Sequence, residues 1–436
     1  MKRGAKFKMS KKGTRELYKE RNQRVMNAIS LKEPDRVPLT PLAHFYPMIQ
    51  KGMTKSEAMY DSTKSVQAAI EIYSKLNVDQ AISLAQINNG PLMDALGIKY
   101  FKWPGAADEE QNLSTNQPFQ FVEGEYMKAD EYEEFIADPT GFAIRKLIPR
   151  HFSKLSFFSE FPDIGSLTDG FLSVFTIPLF LSSPAALKII ESIQEIKETF
   201  SNYIGDMRFY ENELKKMGFP LQFVNYTQAP FDLVSDFLRG MKGSMLDMYR
   251  KPEELKKLLD LLTQPAIDVT TEIAKLFPRY KVVFIALHRG ADGFMSLRQF
   301  EEFYWPTLTK LMDGLIEKGL IPMPHFQGKY TDRFPYLKEY AKKNKGKLIY
   351  RFGQSDIIKA KELFGDSVCL RGNIPSSLLN VGTPQQVEIY VKKSIEGCME
   401  GGGYLIDADA GIPDEAKAEN VKAMTDAVFK YGWYRK

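Results

Sequence analysis

The sequence predicts an α/β fold of the (β/α)8 barrel type, and three observations predict it. Eight short apolar runs recur along the chain, each ending in a polar or ionisable residue. Helix-periodic stretches lie between most of them. The 436 residues also leave room for a decorated barrel, a bare one needing roughly 250. A strand buried on both faces reads as a continuous apolar run. Polar groups at the carboxyl ends of such strands are where a barrel builds its active site.

Residues 1–30 read as a basic helical extension, broken by Pro34 ahead of the first strand. RVPLTPLAH then ends near His44. TKSEAMYDSTKSVQAAIEIYSKL (54–76) has helical periodicity and returns the chain to a second strand, DQAISLAQINN, ending near Gln86 and Asn89. The next connection, 90–219, is far too long for an ordinary βα loop and is expected to form a lid-like insertion over the catalytic face. It carries a turn at Trp103-Pro104-Gly105, an acidic patch at Asp108, Glu109 and Glu110, and a helix over 185–218. Its aromatic residues Trp103, Phe119, Phe121 and Tyr126 could wall a ligand. LQFVNYTQ then ends near Asn225 and Gln228, KVVFIALH at His288, and LIPMPHFQ at His325 and Gln327. KLIYRF ends at Arg351, SVCLRGN at Arg371 and Asn373, and GGGYLIDAD at Asp407 and Asp409. Residues 1–436 are thus read as one barrel domain with an extension and an insertion.

With 59 basic and 55 acidic residues, the charge is too balanced to imply a nucleic-acid partner. Much of the basic excess lies at Lys2, Arg3, Lys6, Lys8, Lys11, Lys12, Arg15, Lys19, Arg21 and Arg24, read as a solvated tail and first helix. No apolar h-region follows it, and the longest apolar run, FLSVFTIPLFL (171–181), is too short for a bilayer and carries Pro178. The expectation is a soluble, cytoplasmic protein with no membrane partner. Cys369 and Cys398, one in a strand and one in a helix, read as reduced, buried hydrophobes. Gly401, Gly402 and Gly403 precede a strand, so they are no phosphate loop. Dinucleotide, Walker and serine-nucleophile motifs are absent.

Three of the four histidines fall at or near strand ends. His288 and His325 are candidates for base or ligand, and His44 for substrate contact. HRGADG sets His288, Arg289 and Asp292 in one turn, read either as catalytic groups or as a loop held by an Arg289–Asp292 pair. Asp407 and Asp409, two apart, share a face if the strand continues. They could then bind a hard cation or supply a general acid; the alternative is capping of the final helix.

The segments QAPFDLVSDFLRG (228–240), MSLRQFEEFYWPTLTKLMDGLIEKG (295–319), MPHFQG (323–328), LRGNIPSSLL (370–379) and GGGYLIDADAGIPDEAKAENVKAM (401–424) resemble the uroporphyrinogen decarboxylase superfamily, nearest its corrinoid-dependent methyltransferases. NQRVMNAISLKEPDRVPL (22–39) is similar to the family's opening. The resemblance implies a (β/α)8 barrel and two departures in activity. The decarboxylases hold porphyrinogen carboxylates with an arginine-rich segment after strand one; here TPLAHFYPMIQKG (40–52) has no arginine. The methyltransferases bind zinc through His-x-Cys and a later Cys; here those positions read His325-Phe326-Gln327 and Ala410. Any remaining metal, zinc included, would use His325, Asp407 and Asp409.

The resemblance therefore implies methyl transfer from a small methoxylated or methylated-amine donor to the corrinoid of a separate protein. His288, His325 and Asp409 would act on the leaving group, and His44, Asn225, Arg289, Gln327, Arg351 and Asn373 would bind the donor. The alternatives are a decarboxylase using Arg289, Arg351 or Arg371, and a non-catalytic small-molecule- or corrinoid-binding barrel. Homo-oligomerisation is left open.

Overall fold

Six strands pair in parallel and in chain order in the computed structural model, which describes residues 13–163 and 165–435. They are β4 (Asn225–Gln228), β5 (Val282–Leu287), β6 (Ile321–Phe326), β7 (Ile349–Phe352), β8 (Cys369–Arg371) and β9 (Tyr404–Leu405). Three shorter strands, β1 (Phe101–Pro104), β2 (Asn112–Leu113) and β3 (Gln120–Phe121), form a separate small sheet in the insertion. Two further extended segments, 37–40 and 78–82, complete the main circuit. Ile406 donates its N–H to Pro38 O (2.9 Å), Thr40 donates to Ile406 O (3.0 Å), and Asp79 donates to Leu39 O (2.8 Å). Ala81 donates to Pro220 O, and Gln222 returns a bond to Ala81 O, both at 2.9 Å. Parallel bridges Leu39–Ile406 and Ala81–Leu221 give both added segments the direction of the sheet. Eight staves thus follow one another around the α/β ring that the apolar runs predict.

Helices cover the outside. They include α1 (Thr14–Ile29), α2 (Ser62–Lys75), α3 (Ser173–Leu181), α4 (Pro184–Lys216), α5 (Pro230–Phe237) and α6 (Pro252–Leu276). They continue with α7 (Trp305–Glu317), α8 (Phe334–Lys343), α9 (Ile357–Phe364), α10 (Pro384–Cys398) and α11 (Ala418–Tyr431). Proline opens α4, α5, α6 and α10, where its missing N–H is harmless and its fixed φ suits the first turn. In β5 the alternate residues Val283, Ile285 and Leu287 are fully buried against the helices. Phe284 and Ala286 take the other side and are partly accessible.

The first helix corrects one expectation. Arg15 and Lys19 are exposed, but Arg21 and Arg24 are buried. Arg21 donates to Gly218 O (2.9 Å), and Arg24 bonds both Asp35 and Asp79. The remaining basic residues of the predicted tail, from Lys2 to Lys12, lie outside the described residues. Asp79 is fully buried at the amino end of its stave, where it also accepts from Arg36 and from Leu39 N–H. Asp79→Ala strands Arg24 and Arg36 beside each other, and chemical denaturation is expected to show a loss of about 3 kcal/mol.

Candidate active site

The side chains at the carboxyl ends of the staves form two linked clusters. The first is centred on Asp407, just beyond β9 and fully buried. Its Oδ1 accepts the N–H groups of Leu42 (3.0 Å) and Ala408 (2.8 Å). Its Oδ2 accepts Nε of Arg351 and Nε of Arg371, each at 2.9 Å. Arg371 crosses the barrel from β8: its Nη2 donates to Thr40 O (2.5 Å) and Gln222 Oε1 (2.6 Å). Burial lowers its pKa to about 10, although Asp407 resists the fall. Arg351, on β7, also reaches Ala408 O (3.0 Å) and places Nη1 2.8 Å from both ring nitrogens of His325. A guanidinium can only donate, so the ring nitrogen it bonds keeps its lone pair. Burial and the neighbouring Arg351 charge push the His325 pKa well down, which leaves a neutral imidazole.

The second cluster stands on α5. Asp232 and Asp236 lie four residues apart on its buried face, a spacing that brings them to one side of a helix. Asp232 accepts the backbone N–H of His288 (3.0 Å) and of Arg289 (2.9 Å) and the hydroxyl of Tyr304 (2.6 Å). Burial raises its pKa to about 6. Gly290 is required here, because a Cβ would lie 2.6 Å from the Tyr304 ring. Asp236 accepts Nδ1 of His288 (2.7 Å), Nη2 of Arg289 (3.1 Å) and the amide of Gln228 (3.3 Å). Burial opposes a charge on His288, but the Asp236 hydrogen bond and nearby Asp232 outweigh it and raise its pKa. Nδ1–H donates to the carboxylate, which favours the protonated ring, and in that form Nε2–H is a second donor on a partly exposed side chain.

The clusters meet through the sheet register. His325 lies opposite Ala286, and Ala286 lies opposite Gln228, whose amide reaches Asp236. Phe284 packs on the His325 ring at 5.6 Å. The pocket thus has a neutral imidazole, a second one whose protonated form Asp236 favours, and aromatic cover.

Other predicted residues fall elsewhere. Asp409 accepts the N–H and hydroxyl of Ser376 and the N–H of Ala410. With Asn373 it lines a separate cavity of about 460 Å³ beside Tyr390 and Lys393. The chain bends there, so the alternation that placed Asp409 beside Asp407 no longer holds, and Asp409 does not cap the final helix either. Asn373 donates to Gly353 O and Ser355 O. Asn225 pairs in register with Val283, on the side turned to the helices and away from Phe284, so it is withdrawn from the donor-binding set. His44 Nδ1 meets Gln86 O at 3.3 Å, and Gln327 is exposed beyond β6. Arg289 pairs with Asp236, while Asp292 lies 3.7 Å from Arg333, so no Arg289–Asp292 pair holds that loop. His151 serves structure, donating to Phe237 O (2.8 Å) where the insertion packs on the end of α5. Trp103 is buried against Tyr60, so it offers no ligand wall.

The chemistry of the donors speaks against the expected zinc set. Asp407 is filled by four N–H donors, two of them guanidinium, and a cation there would be repelled by both arginines. Asp409 lines a cavity whose wall does not include Asp407, and His325 faces Arg351. Among the described residues no three His, Cys, Asp or Glu side chains gather in a metal-binding group. Burial raises both cysteine pKa values to about 12.

A parallel barrel with ionisable side chains converging at its carboxyl mouth is the architecture of a barrel enzyme. The chain belongs to the uroporphyrinogen decarboxylase (URO-D) family, whose model matches residues 178–431. It is 25% identical over 224 residues to the uroporphyrinogen decarboxylase of Pseudoalteromonas translucida, covering 48% of this chain and 58% of the relative. The Francisella philomiragia enzyme of that name is 21% identical over 253 residues, covering 56% and 71%. The chain therefore spans less than two thirds of the first relative's length. A methyltransferase from Methanosarcina mazei shares the fold, with a TM-score of 0.59 at 17% identity over 94% of this chain and 98% of that one.

Proposed function

We propose that the chain transfers a methyl group from a small methoxylated donor to the corrinoid of a separate protein. One observation carries this reading: His288 Nδ1 bonds Asp236 at 2.7 Å, which favours the protonated ring and with it an Nε2–H donor at the mouth. Cleaving a methyl–oxygen bond produces an alkoxide or phenoxide, a poor leaving group unless a proton arrives as the bond breaks. The corrinoid's reduced cobalt supplies the nucleophile. His288 gives its proton to the departing oxygen, and Asp236 stabilises the ring and fixes its tautomer. Neutral His325 positions the donor, and Arg351 and Asp407 hold His325 in place. The same acid favours ethers over quaternary ammonium donors, which leave as neutral amines and need no proton.

Porphyrinogen decarboxylation is less well supported. Its substrate has several carboxylates to anchor, whereas Arg351 and Arg371 are committed to Asp407 and Arg289 to Asp236. The test is to supply the chain with cob(I)alamin and a panel of methyl ethers and methylated amines, following methylcobalamin by absorbance. Methyl ethers are expected to react. Silence across the panel, with carbon dioxide released from a porphyrinogen, would reverse the assignment.

A further inference from the structure

We propose that the groove between α1 and the last turns of α4 receives an acidic segment of a partner protein, anchored by one bulky apolar side chain. The inference is independent of the reading of the active site. The groove has a volume of about 760 Å³. On its α1 wall Arg15, Tyr18 and Lys19 recur at i, i+3 and i+4, and on its α4 wall Phe209, Glu213 and Lys216 recur at i, i+4 and i+7. Such spacings put each set on one face of its helix. The two walls are held together firmly. Arg21 donates to Gly218 O (2.9 Å) and lies 3.9 Å over the Phe219 ring. At Gly218, where φ is +80°, a Cβ would stand 3.0 Å from Thr14 O and 3.1 Å from Leu17, so α1 sits as near as the backbone permits. The end of α4 lies just ahead of the stave that begins near Leu221, at the amino side of the barrel, so an occupied groove leaves the catalytic mouth free.

Charge and shape select the occupant. Arg15, Lys19, Lys215 and Lys216 face a single carboxylate in the groove, Glu213, which Lys216 already pairs at 2.5 Å. Arg15, Lys19 and Lys215 have no carboxylate partner among the described residues. Residues 2–12 add six more basic residues and no acidic one, although the whole chain is only +4. Between these charges the Phe209 ring is 53% exposed. Carboxylates flanking an apolar side chain would answer the cations and the ring together. Other occupants match less well. From Phe209 to Lys216 the α4 wall rises only about 10 Å, short for the phosphate track that holds a nucleic acid. A helix that lies on a membrane immerses an apolar face, whereas here the ring sits in a furrow between charged walls.

Fluorescence anisotropy of the full chain with a labelled peptide of glutamates around one central leucine tests the proposal. Binding is expected at low salt and should weaken by at least about 10-fold at ~1 M salt, where charges are screened beyond ~3 Å. Lys19→Glu with Lys215→Glu should weaken it by at least about 10-fold, and Phe209→Ser by a similar factor. All three side chains are exposed, so far-ultraviolet dichroism should show the helices intact. Should a variant fail to fold, carbodiimide coupling of the same peptide to the unaltered chain supplies the second readout: mass spectrometry should find it joined to Lys19, Lys215 or Lys216. No binding, binding indifferent to the substitutions, coupling confined to residues 2–12, or tighter capture of single-stranded RNA or anionic vesicles would each overturn the assignment.

Discussion

Asp407→Asn is expected to lower stability by about 3–5 kcal/mol, read as a fall in the urea midpoint. The substitution keeps the shape and removes the charge. Asp407 is the one carboxylate bonded to both Arg351 and Arg371, which are themselves buried. Without it two guanidiniums face each other in a medium that solvates neither. The burial that already lowers Arg371 to about 10 shows how little that region favours an unbalanced cation. Asp409→Asn is the internal control: half-buried and bonded only to neutral donors, it should change stability by less than about 1 kcal/mol. Equal losses for the two would mean that Asp407 is not the charge centre of the mouth.

The second large effect concerns catalysis. His288→Gln should reduce kcat on a methyl ether by about 100- to 10,000-fold, the usual contribution of a positioned acid. It should spare a quaternary ammonium donor, if one is accepted. The pH dependence has a definite sign. The folded pKa of His288 is raised, so the active, protonated form is lost as pH climbs through that raised value. The stability its charge contributes is likewise complete below the unfolded value of about 6.5 and fades over the same rise. Asp236→Asn removes the main support for the proton and leaves burial to dominate, so the alkaline limb of the rate profile should move to lower pH. An unmoved limb would show that another group titrates.

Much of this site could be read from the order of residues, and the failures have local causes. His325, Arg351 and Asp407 share the mouth because each ends or follows a regular run, where alternation fixes which way a side chain points. Asn225 was misplaced because it lies three residues from Gln228, an odd step that alternation puts on the opposite face of the strand. Asp409 was misplaced because the chain bends after Ala408. The partner of His288 was missed for another reason: Asp236 sits on a helix after a different stave. The i, i+4 spacing of Asp232 and Asp236 in an otherwise apolar helix was the available signal. No pattern along the chain shows that Arg371 reaches across to Thr40 O.

That reach has a consequence for biogenesis. Arg371–Thr40, Ile406–Pro38 and the bond from Val37 N–H to Gly432 O join positions hundreds of residues apart. The first stave therefore pairs on one side only, with residues 78–82, until the stretch around Ile406 has left the ribosome. During those seconds an unpaired apolar edge is available to the wrong partner. Demand for chaperones during synthesis follows from where the circle closes, whatever the finished molecule's stability.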